Sequence, residues 1–314
     1  MPKNCTNYIK EVKVAYTPLS LKNGAEEMLN RHQRFLITGG DGFIGSTLTD
    51  LLKRQNKEVY SFDIVNDYDV RKYRDLQDVV DVFEPDIIIS MASVAGIDRV
   101  ANDPIGTIET NILGVRNLLK IKGDVKLVHL STSEVYGESA DRNKETDPTI
   151  VGAIGSPRWS YQASKVCADH LITNSDSEAL IIRPFNVFGP KQVGHGAIAD
   201  FIDWAKKGKD LKIYGDGLQT RSWCSVDDFL VGVISLIEME CKGVYNVGDS
   251  RTPITIKELA EQIIKVCQSK SKLYYVPKRE VDVCYRVPNI DKIMKDIGWK
   301  PTTNFHLELK RTIK

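Results

Sequence analysis

Short apolar runs alternate with longer amphipathic stretches along the chain from Arg34 onwards. The apolar runs read RFLIT, EVYSFD, DIIISMA and VKLVHLS, and the helix-length stretches between them read GFIGSTLTDLLKRQ, YRDLQDVVDVFEP and PIGTIETNILGVRNLLKI. Continuous apolar runs of this length are typical of strands that are buried on both faces. Because helices that connect parallel strands cover both faces of their sheet, this order predicts a doubly wound parallel α/β sheet.

The chain after Pro184 keeps its periodicity but loses the strict alternation. Helix-like and strand-like segments follow one another as HGAIADFIDWAKKG, LKIYG, VDDFLVGVISLIE, VYNVG and TIKELAEQIIKVCQ. This pattern predicts a smaller mixed α/β lobe packed on the sheet. Residues 1–33 have mixed polarity and one short helix-prone stretch, AEEMLNRH, so we interpret them as an N-terminal arm. The predicted boundaries are 34–184 for the sheet domain, whose last elements interleave with the C-terminal part, and 185–314 for the smaller lobe.

Composition and charge exclude several classes of protein. The 314 residues are 42% hydrophobic and 27% charged, which is typical of a folded chain of about two domains. Forty-three basic and 42 acidic residues leave no charge surplus for a nucleic acid. No apolar run is long enough to span a membrane, and the polar start lacks the features of a signal peptide, so we expect a cytoplasmic protein without membrane or nucleic-acid partners. The cysteines and histidines are scattered without a Cys-x-x-Cys pair, which predicts no metal site.

A glycine-rich turn follows the first predicted strand. Gly39, Gly42 and Gly45 are spaced three apart and open an amphipathic helix. Glycines allow a tight turn and a close approach of backbone to a pyrophosphate, and the helix N-terminus attracts the anion. A second strand ends in Asp63, whose carboxylate would bind ribose hydroxyls and repel a 2′-phosphate. The sheet domain is therefore predicted to be a Rossmann-type domain that binds NAD.

A tyrosine and a lysine lie four residues apart in the segment YQASK. On a helix, Tyr161 and Lys165 share one face, so we expect the ammonium group to lower the pKa of the phenol from about 10 toward neutrality. A phenolate can accept a proton from a hydroxyl while a hydride leaves the same carbon. The segment STSEVYG, residues 131–137, follows a predicted strand and contributes hydroxyls at the sheet edge where ligands bind.

Together these motifs resemble the extended short-chain dehydrogenase/reductase group, the NAD-dependent nucleotide-sugar epimerases and dehydratases. The resemblance extends from Arg34 to the C-terminus and also includes RPFNVFGP, YGDGLQTRSW and YRVPNIDKIMKDIGWKP. Within the group, STSEVYG followed by TIVGAIGSPRWSYQASK is most similar to the UDP-glucuronate decarboxylases and to some 4-epimerases. The chain departs from the group at residues 90–93, which read SMAS where many members have His-Leu-Ala-Ala.

The resemblance implies NAD as cofactor, a nucleotide-diphosphate sugar as substrate, and a homodimer or higher homo-oligomer. It implies catalytic roles for Thr132, Tyr161 and Lys165, with Ser133 and Glu134 beside the sugar. The implied cofactor-binding residues are Gly39, Gly42, Phe43, Ile44, Gly45, Asp63, Asp69, Val70, Met91, Ala92, Ser93, Asn111, Tyr161, Lys165 and Pro184. The implied substrate-binding residues are Asn186, Ile198 through its backbone, Arg221 and Arg286.

The resemblance further implies an oxidoreductase that abstracts a hydride from carbon 4 of the hexose. The leading outcome is decarboxylation of a UDP-hexuronate or 4-epimerisation, and the next alternative is a 4-dehydrogenase that releases the 4-keto sugar. A 4,6-dehydratase is disfavoured because Ser133 stands where the commonest dehydratase pattern has an aspartate. A non-catalytic NAD-binding scaffold is the alternative from a different class, since a fold alone does not establish activity.

Overall fold

The computed structural model describes residues 33–194, 196–279 and 281–314. The predicted N-terminal arm and its AEEMLNRH stretch therefore lie outside the described residues, apart from Gln33. The strands are β1 Arg34–Thr38, β2 Glu58–Phe62, β3 Ile87–Ser90, β4 Lys126–Leu130, β5 Ser139–Asp141, β6 Leu180–Pro184, β7 Val187–Phe188, β8 Leu211–Tyr214, β9 Thr220–Arg221, β10 Cys224–Ser225, β11 Gly243–Val247, β12 Ile254–Thr255, β13 Leu273–Val276 and β14 Tyr285–Val287. The α-helices are α1 Phe43–Arg54, α2 Tyr73–Phe83, α3 Ile97–Asn102, α4 Pro104–Ile121, α5 Trp159–Thr173, α6 Ala197–Lys206, α7 Val226–Glu238, α8 Ile256–Cys267, α9 Asp291–Ile297 and α10 Phe305–Ile313.

A six-stranded parallel sheet forms the centre of the described chain. Its spatial order is β2, β1, β3, β4, β6, β11. The chain passes from β1 outward to β2 and then returns across β1 to β3, so the loops after β1 and β3 diverge at a topological switch point. Ligands of doubly wound folds bind at this point, outside the carboxyl ends of the strands. The predicted Rossmann-type fold is confirmed.

Helices cover both faces of this sheet, as the continuous apolar runs predict. Phe35 and Ile37 in β1 point to one face, where α1, α7 and α9 pack. Leu36 points to the opposite face, where α2, α4 and α5 pack. Ile87–Ile89 in β3 and Leu180–Ile182 in β6 are buried on both faces for the same reason, and burial of such apolar side chains stabilises the fold.

The smaller lobe has a core of its own. Helices α6, α8 and α10 pack around the parallel pair β8 and β13. A four-stranded sheet of order β12, β9, β14, β5 joins this part of the chain to the segment after β4. Helices α7 and α9 and strand β11, although C-terminal to residue 184, lie in the layers of the central sheet. Among the described residues no helix combines the length and the hydrophobicity needed to cross a membrane.

Candidate active site

The loops that carry the predicted cofactor residues meet at the carboxyl edge of the central sheet. Strands β1 and β3 are neighbours, and the amide of Met91, just beyond β3, donates hydrogen bonds to the backbone and side-chain oxygens of Thr38 at 3.0 and 3.2 Å. Ala92 donates to the same Thr38 hydroxyl at 3.3 Å. The turn after β1 and the loop after β3 are therefore fixed against each other beside the switch point.

The glycines of the first turn occupy positions where a side chain does not fit. Gly39 has φ +73°, and a Cβ atom there would lie 2.8 Å from the amide nitrogen of Ala92. A Cβ atom on Gly45 would lie 2.3 Å from the carbonyl oxygen of Gly39. Gly42 precedes α1 without a side-chain cap, so amides of the first turn, which begins with Phe43 and Ile44, stay available to an anion. This turn fits the pyrophosphate of a dinucleotide.

A fixed carboxylate lies at the end of β2. Asp63 is 9% exposed, and its two oxygens accept hydrogen bonds from the amides of Asp41 and Val65 at 3.0 and 3.2 Å. A carboxylate has about four acceptor positions, so two remain for ribose hydroxyls. Sequence reasoning missed a second carboxylate beside it: Asp41 accepts hydrogen bonds from Ser61 and Asn66 at 2.6 and 2.8 Å. The position of Asp41 inside the glycine-rich turn is the sequence feature that could have identified it.

Asp69 and Val70, which the resemblance places at the adenine of the cofactor, already contact other residues of the chain. Asp69 binds the guanidinium of Arg71 at 2.7 and 3.0 Å, and this pair lowers the pKa of the carboxyl group. Val70 is 6% exposed, and its side chain packs against α4 at Gly114. Arg71 thus holds the Asp69 carboxylate in place at the edge of the cofactor site.

Ser93, which is partly buried, and Asn111, which is buried, belong to one chain of hydrogen bonds. The Ser93 hydroxyl donates to the Asn111 side chain at 2.7 Å, and Asn111 donates to the Ser164 hydroxyl at 2.8 Å. The chain links the loop after β3 with α4 and with α5, the helix of Tyr161. Ser93 belongs to the SMAS segment that departs from the resembling group, and its hydroxyl also hydrogen-bonds Tyr161.

Lys165 lies beside the Tyr161 ring but is bonded elsewhere. Its ammonium nitrogen is 6.0 Å from the ring centroid and donates to the carbonyl oxygen of Leu130, the last residue of β4, at 2.7 Å. The residue is 2% exposed, and this burial lowers the pKa of the ammonium group to about 8. The helical spacing therefore places the Lys165 ammonium group on the same side of α5 as the Tyr161 ring.

The residues around Tyr161 do not lower the pKa of its phenol, contrary to the expectation from sequence. Burial, followed by the negative charge of Glu134, raises the pKa of Tyr161 to about 12. Hydrogen bonds from Thr132 and Ser93 and the charge of Arg158 oppose this effect without overcoming it. The prediction that Lys165 brings this pKa toward neutrality is thus wrong for the protein groups alone, because desolvation of the phenol dominates.

Arginines surround the carboxylate of Glu134. Arg158 binds both of its oxygens, at 2.7 and 3.1 Å, and Arg286 lies 3.5 Å from one of them. Arg221 faces Arg286 in the register of β9 and β14. Burial alone would raise the pKa of Glu134, but Arg286, Arg158 and Arg221 together lower it, so this carboxyl group is ionised. Sequence reasoning missed Arg158, although its position three residues before Tyr161 was visible.

The remaining predicted residues occupy the rim and the floor of the same region. Thr132 caps the 3₁₀ helix Ser133–Tyr136, and Ser133 itself is 4% exposed. Asn186 donates to the carbonyl oxygen of Ser222 at 2.9 Å, next to Pro184 at the end of β6. The side chain of Ile198 is fully buried in the core of the smaller lobe, so its backbone alone can face a ligand.

Comparison with known proteins gives a consistent result. Residues 35–248 match the model of the NAD dependent epimerase/dehydratase family. The chain is 30% identical to the UDP-N-acetyl-alpha-D-glucosaminuronate decarboxylase of Bacillus cytotoxicus, covering 90% of this chain and 97% of that protein. It is 27% identical to the UDP-glucuronate 4-epimerase of Thermodesulfobacterium geofontis, covering 89% and 94%.

A solved structure agrees with these sequence matches. The UDP-glucose 4-epimerase of Thermus thermophilus, in complex with NAD, superimposes with a TM-score of 0.80 at 27% identity and covers 89% of this chain and 97% of that one. The glycine turn, the strand-end aspartate and the Tyr161–Lys165 pair all lie within the residues that match the family model. The chain belongs to the NAD dependent epimerase/dehydratase family, and it is an NAD-dependent enzyme.

Proposed function

We propose that the enzyme oxidises carbon 4 of a nucleotide-diphosphate hexuronate and then decarboxylates it. The observation that carries this proposal is the group of arginines around Glu134, one buried and two partly buried, beside Tyr161 and Thr132. A neutral hexose has no group that needs this much positive charge beyond its diphosphate, whereas a hexuronate also has a carboxylate. The named substrates of the two relatives described above are uronates, which supports the same choice.

The oxidation uses the residues around Tyr161. Thr132 hydrogen-bonds the 4-hydroxyl, Tyr161 accepts its proton, and Lys165 stabilises the resulting phenolate. The glycine-rich turn and Asp63 would hold NAD, which would supply the hydride acceptor for carbon 4 and the hydride for the final reduction. Ser93 and Asn111 connect the phenol to the buried hydrogen bonds of α4 and α5. Because burial raises the pKa of Tyr161, the proton transfer depends on positive charge next to the phenol.

The 4-ketone of a hexuronate is a β-keto acid, which determines the next step. The bond between carbon 5 and carbon 6 breaks, carbon dioxide leaves, and the electron pair forms an enolate across carbons 5 and 4. Tyr161, which now has the proton of the 4-hydroxyl, and Thr132 donate hydrogen bonds to the enolate oxygen, and carbon 5 takes up a proton from water in place of the lost carboxylate. Reduction of the ketone completes a cycle without net consumption of the cofactor. Ser133 and Glu134 lie beside the carbon that is protonated.

The other sequence-based assignments belong to this proposal. Arg221 and Arg286 bind the diphosphate, and Asn186 and the backbone at Ile198 close that side of the site. The dinucleotide is held by the residues implied by the resemblance: Gly39, Gly42, Phe43, Ile44, Gly45, Asp63, Asp69, Val70, Met91, Ala92, Ser93, Asn111, Tyr161, Lys165 and Pro184. We also propose that the protein is cytoplasmic and forms a homodimer. The exposed Ile105 and Ile108 on α4 support the homodimer, and light scattering tests it.

Two other outcomes use the same 4-ketone. A 4-epimerase must let the sugar ring turn before the hydride returns, and the overlap with a 4-epimerase over nine-tenths of the chain favours it as the second candidate. A 4-dehydrogenase releases the ketone and needs renewal of the oxidised cofactor. A 4,6-dehydratase needs an acid for the departing 6-hydroxyl, and Ser133 is not an acid.

The test is a product analysis with a matched pair of substrates. UDP-glucuronate and UDP-glucose differ in the oxidation state of carbon 6, and mass spectrometry with carbon dioxide detection distinguishes the outcomes. We expect carbon dioxide and a UDP-pentose from UDP-glucuronate, and no turnover of UDP-glucose. A UDP-galacturonate product without carbon dioxide would establish the epimerase instead. Stoichiometric NADH with a stable ketone would establish a dehydrogenase.

A further inference from the structure

A buried amide side chain, that of Gln162, directly follows Tyr161 in α5. Gln162 is 0% exposed, and its nitrogen donates hydrogen bonds to the carbonyl oxygens of Glu134, at 2.6 Å, and of Ile150. Its oxygen accepts a hydrogen bond from the backbone N–H of Gly152 at 3.2 Å. Because a carbonyl oxygen only accepts and a backbone N–H only donates, these partners determine which end of the side chain is the nitrogen. The side chain of Gln162 therefore joins α5 to two separate segments of backbone.

The segment that contains Ile150 and Gly152 is fixed through its backbone. The side chains of Ile150 and Ile154 are more than half exposed, so their burial contributes little to holding the segment in place. The amide of Ile150 donates to the carbonyl oxygen of Val135 at 2.9 Å, and the other backbone bonds described above go to Gln162. Loss of the Gln162 side chain would therefore release this segment from α5.

The other backbone partner of Gln162 carries the carboxylate of the arginine cluster. The Glu134 oxygens bind Arg158 at 2.7 and 3.1 Å, and Arg286 lies 3.5 Å from one of them. The charge of Glu134 also acts on the phenol of Tyr161. A shift of the Glu134 backbone would move its carboxylate relative to this phenol, together with the guanidinium groups that bind it. The bond from Gln162 to the carbonyl oxygen of Glu134 opposes such a shift.

We infer that Gln162 is a positioning residue, which fixes Glu134 and the segment of Ile150 and Gly152 relative to Tyr161 and thereby sets how the sugar lies against the phenol. The inference rests on the proposed function, in which Glu134 adjoins the sugar. Gln162 acts through its backbone partners and does not itself contact the substrate. Its loss is therefore expected to affect the sugar and not the dinucleotide.

Asn117 in α4 provides a matched control. Its side chain is 6% exposed and likewise donates to two backbone carbonyl oxygens, those of Val70 and Arg71, both at 3.0 Å. Asn117→Leu and Gln162→Met each replace a buried amide by an apolar side chain and leave two carbonyl oxygens without that donor. Both variants should lose stability, but only Gln162→Met releases Glu134.

Steady-state kinetics at saturating NAD, normalised to folded protein, separate the two effects. With UDP-glucuronate, Gln162→Met should lower kcat/KM roughly tenfold or more and should raise the KM for the sugar. Gln162→Glu keeps the shape but can donate at most one hydrogen bond, so its kcat/KM should also decrease. Asn117→Leu should change kcat/KM less than about threefold. The Kd for NAD should change less than about threefold in both Gln162 variants, as measured by fluorescence titration.

The contrary results distinguish this inference from the proposed function. A loss of kcat/KM in Gln162→Met no larger than in Asn117→Leu, or a loss without any change in KM, would show that Gln162 only stabilises the fold and would overturn the inference. Wild-type kinetics in Gln162→Glu would overturn it too. If Gln162→Met does not fold, Gln162→Asn replaces it, because its shorter side chain cannot reach all the partners, and unchanged kinetics there would be equally contrary. A wild type that converts UDP-glucose but not UDP-glucuronate would instead contradict the proposed function, and the same comparison made with UDP-glucose would then test Gln162.

Discussion

Replacing Lys165 by methionine is expected to stabilise the fold at neutral pH while abolishing turnover. Burial lowers the pKa of the Lys165 ammonium group from its ordinary 10.5 to about 8. The difference corresponds to about 3 kcal/mol by which the folded state disfavours the charged form. Methionine has a similar length and no charge, so it removes this cost without leaving a cavity.

The replacement also has an unfavourable effect. Lys165 donates to the carbonyl oxygen of Leu130 at 2.7 Å, and methionine leaves that buried acceptor without this donor. Such a loss destabilises by about 1–2 kcal/mol. At pH 7 we therefore expect Lys165→Met to raise the free energy of unfolding by about 1–2 kcal/mol. In the proposed mechanism Lys165 stabilises the Tyr161 phenolate, so activity should be lost.

The pH dependence gives the decisive measurement. The folded-state pKa of Lys165 lies below its unfolded value, so the cost is fully present below pH 8 and disappears as the pH rises toward 10.5. The stability difference between Lys165→Met and the wild type, measured by urea unfolding from pH 7 to 10.5, should decrease and change sign. Comparison of the two proteins cancels the other groups that titrate in this range. A difference that is independent of pH, or a variant less stable than the wild type at pH 7, would refute the reasoning.

Three further predictions concern the cofactor and the base. Tyr161→Phe should reduce kcat about 10³-fold, because only the proton-accepting oxygen is lost, and should keep NAD bound; activity within tenfold of wild type would contradict its role as base. Asp63→Ala and Asp41→Asn should each reduce the preference for NAD over NADP in fluorescence titrations, since both carboxylates repel a 2′-phosphate, and equal affinities in the wild type would contradict this. Gly45→Ala should weaken NAD binding at least roughly tenfold and lower the melting temperature, because its Cβ would lie 2.3 Å from a backbone oxygen. Unchanged NAD affinity in that variant would show that the turn does not hold the dinucleotide.

The central sheet could be predicted from the sequence because its elements carry strong periodic signals. The segment RFLIT coincides with β1, and the stretches starting at Pro104 and Val226 coincide with α4 and α7. The four-stranded sheet that carries Arg221 and Arg286 was not predicted. Its strands have two or three residues each, too few to show alternation, and they form only because neighbouring segments are brought together by the larger domain.

The same distinction between local patterns and long-range contacts applies to the candidate site. The glycine turn and the pair Tyr161 and Lys165 are local patterns, so spacing predicts which side chains share a face. The contact of Arg158 with Glu134 joins residues 24 positions apart and depends on how α5 packs on the loop after β4. The pKa of Tyr161 depends on how deeply its side chain is buried, which residue spacing along the sequence does not predict. Sequence reasoning therefore placed Tyr161 and Lys165 on one helix face but predicted neither the contact of Arg158 with Glu134 nor the direction in which burial shifts the pKa of Tyr161.

The pKa shifts of Tyr161 and Lys165 determine which protonation states of the two side chains the folded protein favours. Burial raises the pKa of the phenol to about 12 and lowers that of the ammonium group to about 8, so each neutral form is favoured relative to water. Both shifts destabilise the charged pair that the proposed mechanism requires, a phenolate beside an ammonium group. In the same low-dielectric surroundings, however, the two opposite charges attract each other more strongly than in water. The phenolate and the ammonium group therefore stabilise each other, and Lys165→Met should lose turnover although it makes the folded protein more stable.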